Sequence, residues 1–216
     1  MMLESMVGLL LDGMITSIEI FLLTLLFSLP LGLLISFGRM SNFGPLRWLM
    51  KVYISIMRGT PLMLQLIVVF FGPYYIFGMT LSPDYRFIAV IIAFSINYAA
   101  YFAEIYRGGI EAIPKGQYEA AQVLGYNKFQ TFFIIILPQV FRIILPSVTN
   151  EVITLVKDTS LSFVIAVPEM FTVAKQIAAA DASIAALLVA GIFYYVFNVI
   201  VAFVMARLES RYNYLA

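Results

Sequence analysis

Residues 182–206 run without a single charged side chain. A bilayer core about 30 Å thick is crossed by about 20 mostly apolar residues in a helix, and lipid offers no partner to an unpaired backbone amide, so such a run crosses as a helix. Four more stretches read the same way: 14–37, 53–77, 87–106 and 132–155. They are less clean. The first holds Glu19, Pro30 and Gly32, the second Gly59, Pro61 and Pro73, and the fourth Pro146 and Glu151. Composition agrees, with 62% hydrophobic and 12% charged residues and a mean hydropathy of +0.98, against about 45–50% and about 25% in soluble domains. A chain of 24.3 kDa has too little interior to hide so much apolar surface. These numbers exclude a soluble enzyme, a nucleic-acid binder and a disordered tail. The expectation is an all-α integral membrane protein, one domain over residues 1–216, with five transmembrane helices.

The chemistry open to this chain is narrow. It has no cysteine, so no disulfide or thiolate, and no histidine, the commonest general base and metal ligand. No G-x-x-x-x-G-K-[ST] loop is present. The expectation is a non-enzyme with no metal and no cofactor of its own, whose energy comes from a partner or an ion gradient. The N-terminal stretch lacks the basic start and small-residue cleavage site of a signal peptide, so the first run is expected to be retained.

Positive charge sets the expected orientation. Arg39, Arg47, Lys51, Arg58, Arg107, Lys115, Lys128, Arg142, Arg207 and Arg211 fall on one side, against Arg86, Lys157 and Lys175. That places the N-terminus outside and the C-terminus in the cytoplasm. The broken segment 161–180 reads as an outer re-entrant or interfacial helix, and 108–131 as the one sizeable cytoplasmic insertion.

Ionisable and amide side chains within spans are costly and point to function. Asn97, Tyr101 and Glu104 share one helical face, as do Glu151, Thr154 and Asp158. At 1.5 Å per residue, Asn97 lies roughly 16 Å and Glu151 roughly 18 Å from the ends of their spans, near the midplane, with Glu19 roughly 9 Å deep. Glu19 and Glu151 are the candidates to meet a cationic substrate, with Asn97, Thr154, Lys157 and Asp158 holding its amino and carboxylate groups. Lys157 and Asp158 could equally pair with each other. Glu104 and Arg107 form an i, i+3 pair that reads as structural.

The insertion carries the sharpest signal. Tyr118 to Leu124 looks helical, and Gly125 is a natural terminator. Glu119-Ala120-Ala121, three residues, Gly125, nine residues, Ile135, one residue, then Leu137-Pro138 resembles the EAA signature of bacterial ABC importer permeases. Arg58-Gly59-Thr60-Pro61, Ala103-Glu104-Ile105, Arg107-Gly108-Gly109, Ile113-Pro114-Lys115-Gly116-Gln117 and Lys157-Asp158-Thr159-Ser160-Leu161 are similar to the polar-amino-acid branch, the histidine/glutamine/arginine type. The likeness runs from about residue 13 to about residue 210.

That resemblance implies the type I importer permease fold, with a cytoplasmic coupling helix around Glu119, Ala120, Ala121 and Gly125 that docks on an ATPase. It implies two ATPase subunits holding ATP and Mg, a second permease (identical or a paralogue), an extracytoplasmic amino-acid-binding protein, and a bacterial inner membrane as the setting. The function expected is import of a polar amino acid, and the acidic pair favours a basic one. Glutamine or another polar amino acid is the alternative with the same machinery. A secondary transporter driven by an ion gradient is a more distant one, against which stands the absence of a detectable inverted repeat.

Overall fold

The computed structural model describes the backbone of residues 3–213 and the side chains of residues 5–212. Every regular element among the described residues is helical. In order they are α1 (Leu3–Met40), α2 (Gly44–Gly59), α3 (Leu62–Phe77), α4 (Tyr85–Glu111), α5 (Lys115–Val123), α6 (Lys128–Gln130), a π-helical turn (Thr131–Ile136), α7 (Leu137–Asp158), a 3₁₀ helix (Thr159–Ile165), α8 (Met170–Ala180) and α9 (Ala185–Asn213).

Four continuous stretches are long and apolar enough to cross a membrane: Ser5–Met40, Tyr85–Glu111, Lys128–Ile165 and Ala185–Tyr212. The second sequence stretch, 53–77, is not one straight helix. It is divided between α2 and α3, which meet at 110° and count as a fifth span only if taken together. The cause is local. Pro61 has no N–H to continue the ladder, and its ring drives the preceding Thr60 into extended backbone (φ −121°, ψ 148°).

The other helices overrun the lengths read from sequence. α1 begins well before residue 14 because Met6, Leu10 and Met14 have somewhere to go: they pack with Met170, Ala174 and Ile177 of α8 and Ala186 and Ala190 of α9. The helix that enters the fourth span starts at a capping box, in which Asn127 and Gln130 satisfy each other's backbone N–H groups.

The bundle is built on α1 against α4. Where neighbouring helices gain nothing from excluding water, close backbone approach through small residues drives packing. Thr24, Ser28, Gly32 and Ser36 recur every fourth residue along α1, and the three hydroxyl-bearing members are fully buried. A Cβ on Gly32 would lie 2.8 Å from Phe102 Cβ and 3.0 Å from the Ala99 carbonyl oxygen of α4. Gly109 plays the same part between α4 and α7, where an added Cβ would meet Ile144. Phe94, Phe102, Leu66 and Leu155 fill the centre that α3, α4 and α7 share.

A buried carboxyl ties α8 into this frame. Glu169 is fully enclosed and caps α8, accepting from the backbone N–H of Phe171 (2.8 Å) and of Thr172 (2.7 Å). It also accepts from the Thr172 hydroxyl (2.8 Å) and from Tyr194 of α9 (2.8 Å). Gly13 of α1 crosses the same corner so closely that a Cβ would sit 2.8 Å from Met170 Cα.

Candidate functional site

Three elements place polar groups on one face of the bundle. α4 contributes Tyr98 and Tyr101, α7 contributes Glu151, Thr154 and Asp158, and the end of α2 contributes Arg58. The Tyr98 hydroxyl donates to Asp158 Oδ2 at 2.7 Å. Tyr98 and Tyr101 stand side by side, ring centroids 6.2 Å apart. The Arg58 guanidinium lies over the Tyr101 ring, 5.3 Å from its centroid, a distance at which the aromatic face attracts a cation. Glu151 stands two turns before Asp158 on α7, so the two carboxylates share a helical face. Glu151 and Asp158 are half-buried, while Thr154 and Lys157 are exposed on the same helix. The Thr154 hydroxyl is returned to its own helix, donating to the Asn150 carbonyl at 2.9 Å.

The face combines two carboxylates with a guanidinium and an ammonium. Chemically it can receive a zwitterion, an ammonium group meeting Glu151 or Asp158 and a carboxylate meeting Arg58.

Next to this face, Glu104 gathers three arginines. Its carboxylate is 2.6 Å from Arg107, 3.8 Å from Arg39 and 4.0 Å from Arg58. Arg107 also pairs with Glu111 one turn on. The cluster joins α1, α2 and α4 where they end.

Two of the residues singled out in the sequence lie elsewhere. Asn97 is 4% exposed, and its side chain is turned into the α2–α3 corner rather than toward Tyr98 and Asp158. Glu19 lines a separate cavity of ≈ 430 Å³ with Asp84, Arg86 and the turn at Ala166-Val167-Pro168. It sits level with the start of α4, because α1 extends far beyond it. Residues that the sequence reading left out of the site are Arg58, counted there among the flanking charges, Tyr101, named there only for its helical face, and Tyr98. The signal for Arg58 was available: a cation immediately before a Gly-Thr-Pro break must stay where the broken helix ends. Among the described residues no group of three or more carboxylates, histidines or cysteines is placed to hold a metal ion.

A second feature stands at the α5 end. α5 is a short helix ended by Gly125, whose φ of +80° is the left-handed cap that glycine adopts without strain. Ala121 is 1% exposed and packs inward. Tyr118 is part-buried beside Ile113 and Ile136, and burial pushes its phenol above the ordinary tyrosine value. Glu119 and Ala120 face outward. So do Val123, 87% exposed, and Leu124, 72% exposed. Sequence pattern alone did not mark these two, yet they form an exposed apolar tip at the end of α5.

Comparison with known proteins comes down on one family. The family described as "Binding-protein-dependent transport system inner membrane component" matches residues 28–214. The L-cystine transport system permease protein TcyB of Bacillus subtilis is 38% identical over 201 residues, 92% of this chain and 84% of that protein. The arginine transport system permease protein ArtQ of Bacillus subtilis is 37% identical over 202 residues, 93% of this chain and 91% of that protein. The crystal structure of an amino acid ABC transporter with histidines superposes with a TM-score of 0.86 at 30% identity, covering 95% of this chain and 94% of that one.

Proposed function

This chain belongs to the family of binding-protein-dependent transport system inner membrane components, as a permease subunit of an amino-acid ABC importer, and from that premise we propose that it carries a polar, preferentially basic, amino acid across the α4–α7 face. The observation that carries this reading is the run of polar contacts from Asp158, held by Tyr98, through the neighbouring Tyr101 ring to the Arg58 guanidinium above it, with Glu151 on the same helical face as Asp158. Two acids leave one carboxylate for a cationic side chain after the α-ammonium is met. Lys157, on the rim, is the group that favours a neutral or glutamine-like substrate instead. The relatives differ among themselves, one named for cystine and another for arginine, so the choice lies in side chains of this kind.

The chain itself performs no covalent step. ATP and Mg are held by two ATPase subunits, and α5 acts as the coupling helix, seating Glu119, Ala120, Val123 and Leu124 in them. In this reading residues 108–131 are cytoplasmic, the N-terminus is outside and the C-terminus is in the cytoplasm. Residues 1–216 form one transmembrane domain. A second permease, identical or a paralogue, closes the open α4–α7 face, and an extracytoplasmic binding protein delivers the amino acid. Glu19, with Asp84 and Arg86, lies on the route by which substrate arrives.

The test is ATPase activity of the reconstituted complex with its binding protein, measured against a panel of amino acids. Stimulation strongest with arginine, lysine or histidine supports the assignment. Equal stimulation by glutamine removes the basic preference while leaving the importer.

A further inference from the structure

The 110° corner between α2 and α3 leaves backbone carbonyls without helical partners, as every helix end does. Here two side-chain amides take their place. The Gln65 amide nitrogen donates to the Met57 carbonyl (2.9 Å), the Thr60 carbonyl (3.1 Å) and the Thr60 hydroxyl oxygen (2.8 Å). The Asn97 amide nitrogen donates to the same Met57 carbonyl (3.0 Å) and to Gln65 Oε1 (2.9 Å). Thr60 closes the set by donating its hydroxyl to Ile56 (2.8 Å). Both amide residues are buried, Gln65 9% and Asn97 4% exposed. On the α2 side, the Tyr53 hydroxyl donates to the Ile96 carbonyl, next to Asn97.

We infer that Gln65 and Asn97 are positioning residues, an amide latch that fixes the α2–α3 corner and thereby holds Arg58 over Tyr101. Arg58 is the residue after Met57 and two before Thr60, so the latch grips the backbone on both sides of it. Both Asn97 N–H donors are spent on Met57 and Gln65, so its amide nitrogen has none left for the polar face. This directs the Asn97 donors to the corner and gives the residue a role through Arg58. A buried amide pair has an advantage over apolar packing here, because unwound backbone in a membrane must be satisfied wherever the corner goes. The inference rests on the reading of Arg58 as facing the transported amino acid, but its first test does not.

That test uses the absence of native cysteine. A nitroxide at Gly59→Cys, where an added Cβ meets nothing within 4 Å, reports corner mobility in the reconstituted permease–ATPase complex. The parent should give one ordered spectral component, and Asn97→Leu or Gln65→Leu should add a mobile one. In uptake, Asn97→Leu should raise KM about tenfold, the scale of leaving a buried acceptor unsatisfied, with kcat changed less than about twofold. The exchanged pair Gln65→Asn with Asn97→Gln restores both amides and should recover part of both. Should Asn97→Leu fail to assemble, Asn97→Ala removes the same donors with less bulk. A raised KM with an unchanged spectrum would overturn the latch and make Asn97 a direct substrate contact. Unchanged KM and spectrum together would overturn it outright. A mobile corner with normal uptake would leave the latch standing and remove the role of Arg58.

Discussion

Tyr98 of α4 and Asp158 of α7 are joined by a 2.7 Å hydrogen bond across the proposed amino-acid face. It sets the position of a carboxylate that would otherwise be half-buried without a donor. Tyr98→Phe removes that donor and nothing else. A buried acceptor left unpaired costs about 1–3 kcal/mol, so substrate affinity should fall about tenfold while the complex still assembles. Uptake kinetics of the variant beside the parent check this, and an unchanged KM would mean that Asp158 does not serve the substrate.

Glu151 separates charge recognition from general polarity. Asp158 already accepts from Tyr98, which makes Glu151 the carboxylate proposed to meet a cationic side chain. Glu151→Gln keeps shape and hydrogen bonding but removes the charge. Uptake of a basic amino acid should drop by at least tenfold more than uptake of glutamine, read by competition between the two labels. Equal losses would end the electrostatic reading.

The tip of α5 should tolerate change from inside and outside differently. Leu124→Asp puts a charge on an exposed apolar tip, and should lower transport-linked ATP hydrolysis several-fold without affecting membrane insertion. Gly125→Val must adopt φ near +80°, at a cost of about 1–2 kcal/mol for a side chain with a Cβ, and should uncouple by tilting the helix. Ala121→Trp has no room, since Ala121 is 1% exposed, so it should disrupt α5 itself. Hydrolysis stimulated by the loaded binding protein, divided by basal hydrolysis, is the quantity to compare. Normal coupling in Leu124→Asp would dissociate this tip from the ATPase.

The glycine seam of α1 makes a stability prediction with its own control. Gly32→Ala forces a Cβ to within 2.8 Å of Phe102 Cβ and 3.0 Å of a backbone oxygen; overpacking of this kind costs about 1–3 kcal/mol. Gly191→Ala, with nothing within 4 Å, should be neutral or gain up to about 1 kcal/mol from helix propensity. Thermal unfolding in detergent should lower the midpoint for the first and not for the second. The reverse order would mean that α1 and α4 do not meet at Gly32.

The helical membrane fold and the family were legible in the sequence. The uncharged run 182–206, the EAA spacing and the Glu151/Asp158 helical phase are local properties, and local properties survive folding. What the sequence hid depends on partners far along the chain. Asn97 and Tyr98 are adjacent, and only the approach of Met57 and Gln65 on one side and of Asp158 on the other sends them to opposite tasks. Glu19 looked like a partner for Glu151 because the first span reads from residue 14, whereas α1 begins at Leu3 and packs there against α8. Hydropathy also merged α2 with α3, since an average over a window does not register one missing N–H at Pro61.

The most direct test of the account is accumulation of labelled arginine in proteoliposomes holding this permease with its ATPase subunit, with and without Mg-ATP and the binding protein, and with glutamine as competitor. The account predicts uptake that requires both ATP and the binding protein and resists excess glutamine. Flux that proceeds without ATP, down or against an ion gradient, would contradict it.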